Sequence, residues 1–117
     1  MEMIDIKDIE KGSDSKPVKK VPILTDQLMA TILTIGPNTK IPAHIHPDSD
    51  EIHYIVKGTG KITVGNKSIT IKEGMLILVP KTESHYFSTS NEQMIVLSNS
   101  PVCGPKDQKY MERKKEV

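Results

Sequence analysis

The feature that most constrains this chain is the spacing of its turn residues. Between Leu28 and Asn99, short apolar runs are closed repeatedly by glycine, proline or asparagine. The run 28–35 ends at Gly36-Pro37-Asn38, the run 40–46 at Pro47-Asp48-Ser49-Asp50, and the run 51–57 at Gly58-Thr59-Gly60. Runs 61–64 and 68–72 flank Gly65-Asn66, a hairpin signal in which glycine supplies the positive φ of a type II′ turn. Runs 75–79, 84–88 and 94–99 complete the series, and none sustains a 3.6-residue period. Such punctuation predicts an all-β sandwich, jelly roll or small barrel.

Composition agrees. The apolar residues are mostly Ile, Leu, Val and Met, and branched Cβ atoms pack well on a pleated surface. A chain of 117 residues is one ordinary domain. Residues 2–9 alternate, with Ile4 and Ile6 on one face, and predict a short edge strand; 11–20 reads as a polar loop. Residues 106–117 are highly charged and read as a frayed helix or tail.

Charge and composition also exclude function classes. A formal net charge of +1, without a basic stripe interleaved with aromatics, points away from nucleic acid. Arg113 is the only arginine, so an anion held inside the fold would rely on a metal, a lysine or backbone amides. The first residues carry acids and no long apolar run, which predicts neither signal peptide nor membrane anchor. Cys103 stands alone and permits no internal disulfide; a cytoplasmic protein is expected.

The chemistry is concentrated in two places. In a strand, His44 and His46 point to one face with Cα atoms roughly 6.5–7 Å apart, so two imidazoles can converge on one ion. After a four-residue turn comes Glu51, opening the next run, and His85 arrives just after Pro80 closes another. Three imidazoles and a carboxylate make a borderline N/O donor set. It suits one divalent transition metal (iron, manganese, nickel, copper or zinc) and suits calcium poorly.

These segments resemble the two cupin motifs. Gly36, His44-Ile45-His46, Glu51 and Gly58 are similar to the first, and Gly74, Pro80 and His85 to the second. The resemblance spans about 28–97 and implies a double-stranded β-helix, a jelly-roll barrel over 21–102. That leaves 1–20 as N-terminal strand and loop and 103–117 as tail. It implies His44, His46, Glu51 and His85 as metal ligands. The chain departs from the pattern at Thr82, where the family usually has glycine, at Thr89, where it often has asparagine, and in a longer spacing from Gly36 to His44.

His53 lies two residues after Glu51 and should share its inward face. It is the candidate catalytic residue for proton transfer, its bland alternative being a hydrogen-bonded wall residue. Asp48 and Asp50 read as turn formers, either replacing Glu51 as ligand only if the turn were shifted. Phe87 should line the cavity and Tyr86 face away. Met29, Met75 and Met94 read as core or pocket filler. Lys40, Lys57, Lys61 and Lys81 are the candidate cationic contacts. The expected function is a metal-dependent enzyme acting on a small polar organic molecule. Dioxygenase, isomerase and lyase types enter by analogy with relatives. The alternative is a non-catalytic module that binds or senses a small ligand or metal. A homodimer is expected, with 2–9 adding to a partner's sheet.

Overall fold

The computed structural model describes residues 1–8 and 17–102. Its strands are β1 (Val18–Leu24), β2 (Leu28–Ile35), β3 (Glu51–Lys57), β4 (Thr59–Val64), β5 (Lys67–Lys72), β6 (Leu76–Val79), β7 (His85–Ser88) and β8 (Met94–Pro101). They form a five-stranded sheet ordered β1-β2-β8-β3-β6 and a three-stranded sheet ordered β5-β4-β7. Every pairing is antiparallel.

The period of two decides what lies inside. Along β3, Glu51, His53 and Ile55 are buried while Ile52 and Tyr54 are exposed. Leu33, Ile35, Ile41, Ile55, Ile62, Ile71, Val79, Phe87, Met94 and Val96 form one apolar cluster drawn from both sheets. Each such side chain contributes roughly 1.5–3 kcal/mol by leaving water. The Gly65 turn has the positive φ its position demands, 62°.

Four expectations are corrected. Residues 2–8 form no strand; Ile6–Asp8 is a single 3-10 turn with no buried residue. Asp5 explains it, because its carboxylate accepts the Lys7 N–H at 3.0 Å and its carbonyl the Asp8 N–H at 3.0 Å, drawing the backbone out of a ladder. Val18–Lys20, read as loop, belongs to β1, because Lys19 pairs with Leu33 and Lys20 with Ile32 on a buried neighbour. Pro22 falls where the register shifts, a place that tolerates a missing N–H. Residues 40–46 make only isolated bridges at Lys40 and His44, because Pro42 donates nothing to a ladder. Met75 is 38% exposed, whereas Met29 and Met94 are buried as expected. Cys103, Tyr110, Ile9, 11–16 and the tail 103–117 lie outside the described residues. Among the described residues, no helix is long and apolar enough to cross a membrane.

Candidate metal centre

Two residues 41 positions apart, His44 and His85, are joined by reciprocal backbone hydrogen bonds of 3.1 and 3.0 Å. Such a pair sets two side chains directly opposite on one face. Their ring centroids are 4.3 Å apart. Each Nδ1 lies 3.2 Å from a carbonyl oxygen, that of Pro42 for His44 and that of Glu83 for His85. A carbonyl only accepts, so each Nδ1–H donates and each Nε2 keeps its lone pair for an ion. The His46 ring stands nearly perpendicular to His44 at 5.1 Å, and its carbonyl accepts the Thr82 N–H at 2.9 Å.

Glu51 is delivered by the turn before it. Asp50 Oδ1 accepts the Lys81 N–H at 2.8 Å, which ties the start of β3 to the end of β6. This fits the turn-forming role expected of Asp50. Glu51 then points inward, with Oε1 at 3.0 Å from His46 Nε2, 3.2 Å from His85 Nε2 and 3.4 Å from His53 Nε2.

One candidate donor atom from each of His44, His46, Glu51 and His85 falls within 4.8 Å of the other three. Glu51 Oε1 and His85 Nε2 are buried yet make no hydrogen bond of proper geometry. With the His85 proton on Nδ1, the two facing atoms are both acceptors. Buried polar atoms without partners are rare, and a cation completes such a set. The four residues named from the sequence therefore form a group that can hold a metal ion.

The electrostatics suit a cation. Burial alone would raise the Glu51 carboxyl. The histidines facing it, His46 first and then His53 and His85, outweigh burial and hold it well below the ordinary carboxylate range. His44 is pushed down to about 4, by burial first and by His85 beside it second, so it is a neutral donor at neutral pH.

His53 shares the inward face but is not one of the four. It pairs across the sheet with Ser98, and its Nδ1 lies 2.7 Å from Ser98 Oγ. Phe87 meets its ring edge-on at 5.1 Å. Tyr86 turns the other way, with Lys40 Nζ 4.5 Å over its ring.

A cavity of about 20 Å³ adjoins the centre, lined by Lys19, Thr31, Leu33, Ile41, His44, Glu51, His53, Phe87 and Ser98. A larger groove of about 960 Å³ beside residues 3–8 includes none of the four metal-site residues and no histidine. Lys40, Lys57, Lys61 and Lys81 do not line the cavity; Lys19, which the sequence reading passed over, does. Its signal was adjacency: of two neighbouring lysines in a strand, one must point inward.

Comparison with known proteins places this geometry. A family model described as Cupin domain matches residues 31–99. An uncharacterized protein of Methanocaldococcus jannaschii is 34% identical over 58 residues, covering 50% of this chain. The match covers 45% of that relative, so the chain spans about half its length. Among solved structures, a protein from Thermus thermophilus superposes with a TM-score of 0.80 at 20% identity, covering 86% of this chain and 97% of that one. The polyketide cyclase RemF of Streptomyces resistomycificus gives 0.74 at 21% identity, covering 90% and 82%. A predicted oxalate decarboxylase of Thermotoga maritima gives 0.69 at 19%, covering 74% and 81%. At these identities the structural matches establish the double-stranded β-helix.

Proposed function

This chain belongs to the cupin family, and from that premise we propose that it is a metal-dependent enzyme acting on a small polar organic molecule. One divalent transition metal (iron, manganese, nickel, copper or zinc) would be held by His44, His46, Glu51 and His85. The observation that carries the proposal is His53, a buried imidazole beside the four donors but outside their group. A store or sensor for a metal has no need of such a group. When bound, an ion of this kind supplies Lewis-acid polarisation of a substrate oxygen or, if redox-active, oxygen chemistry.

The chain's own residues do the rest. The Pro42 and Glu83 carbonyls fix the tautomers of His44 and His85. With Nε2 as the working atom, Nδ1–H donates to Ser98 Oγ in the neutral and the protonated ring alike, so Ser98 keeps hold of His53 as the imidazole alternates between base and acid. Phe87 packs edge-on against that ring at 5.1 Å. His53 Nε2 then moves a proton at the reacting carbon or oxygen. Two of the similar folds carry enzyme names, a polyketide cyclase and a predicted oxalate decarboxylase, which supports catalysis without assigning a reaction.

Elemental analysis of protein purified without added metal is the first test, beside Glu51→Ala and His85→Ala. Near-stoichiometric metal, reduced in both variants, is expected; none, even after reconstitution, would overturn the metal centre. His53→Asn should keep the metal and lose about 10²–10⁴-fold in turnover of whichever small polar molecule a screen by oxygen uptake and NMR shows the wild type to convert. Unchanged turnover in that variant would remove His53 from the chemistry.

A further inference from the structure

Two groups in the cavity are left unexplained by metal binding. Thr31 is 2% exposed, and its Oγ1 has no hydrogen-bond partner. Lys19 lines the same cavity from β1, opposite Leu33, and its ammonium makes no hydrogen bond or ion pair among the described residues. Burial draws the Lys19 ammonium below its ordinary pKa, with the charge of Glu51 opposing that shift. A partly buried cation and an orphan hydroxyl on one wall are unfavourable unless something anionic joins them.

We propose that Lys19 and Thr31 form the carboxylate-binding end of this site, so that the molecule it takes is a small carboxylic acid. The assignment rests on the metal-centre proposal above and names its substrate class. Register supports it: Thr31 pairs with Ser98 and Ser98 with His53, so one row of inward residues runs from the orphan hydroxyl to the proton carrier. A carboxylate held at Thr31 and Lys19 presents its neighbouring carbon toward His53 and the four donors. The cavity, with room for one or two water-sized groups, matches a carboxylate better than a phosphate ester or a sugar ring. The described residues include no arginine, and among them a lysine carries the positive charge.

The test is calorimetric titration of the zinc-loaded full chain with pyruvate and with its uncharged analogue pyruvamide. Zinc content is measured on every sample, and the metal-free protein is titrated in parallel. The wild type is expected to prefer pyruvate at least tenfold. Lys19→Met should lower pyruvate affinity by about 10–100-fold and erase the preference with zinc content unchanged. Lys19→Arg should restore part of it. Thr31→Val should weaken pyruvate several-fold while melting no lower than wild type. Pyruvate binding that ignores Lys19→Met, or a wild type indifferent to the ligand's charge, would overturn the assignment. If zinc is not taken up at all, the metal centre fails instead. The pyruvate preference and its loss in Lys19→Met are then read on the metal-free protein, and they uphold or overturn the carboxylate end by themselves.

Discussion

Thr82 sits at φ 72°, in the left-handed region where a β-branched residue is strained by roughly 1–2 kcal/mol. Its N–H nonetheless holds the His46 carbonyl, so the conformation serves the site. Thr82→Gly should keep that bond and raise stability by about 1 kcal/mol after glycine's larger entropy loss. A urea midpoint that rises with unchanged metal content is the expected result; a fall would mean that the threonine side chain itself stabilises the turn. The turn's need for a positive φ was legible as the departure from glycine at that position. The four donors were legible too, because donor type and spacing survive without a structure. Thr31 and Lys19 were not: a threonine in an apolar run carries no local mark, and the adjacency of Lys19 and Lys20 turns one of them inward only once that polar stretch is known to be a strand. Only the pairing of β1 with β2 and of β2 with β8 turns them toward one cavity.

At the scale of elements, β2 and β3 could be read to the residue, because turn residues close both ends. The lysine-bearing start of β1 owes its place to the buried strand beside it. The same dependence makes the β3–β4 connection sensitive. Gly58 has φ 82°, and a Cβ there would overlap the Gln93 carbonyl oxygen just before β8. Gly58→Ala therefore combines backbone strain with a clash against main chain that cannot rotate away. It should destabilise by about 2–4 kcal/mol, seen as a lower urea midpoint with an unchanged slope. Wild-type stability in that variant would mean that the hairpin and β8 separate easily. Thr89 shows how another departure is absorbed. Its hydroxyl donates to the Gly36 carbonyl and accepts the Thr39 N–H at 3.1 Å, pinning the longer approach to His44.

For the whole molecule, the loss of the N-terminal strand moves the expected pairing elsewhere. Ile52, Tyr54, Leu76 and Leu78 lie on the outer face of β3 and β6, and Leu76 is 69% exposed. They form cross-strand pairs, Ile52 with Leu78 and Tyr54 with Leu76, at the edge strand of the five-stranded sheet. A second copy of the chain, bringing the same patch and edge, is the occupant we propose. Light scattering should give a dimer mass that falls to a monomer in the double variant Leu76→Lys, Leu78→Lys; a monomeric wild type would sink the idea. The donor group has a reach of its own. Glu51 belongs to one sheet and His85 to the other, so an ion held between them fastens the two halves of the barrel. Free metal at a hundred times its dissociation constant would add about 2.7 kcal/mol to folding. A cell that ran short of the ion would then lose the protein to proteolysis, and its abundance would follow the metal supply.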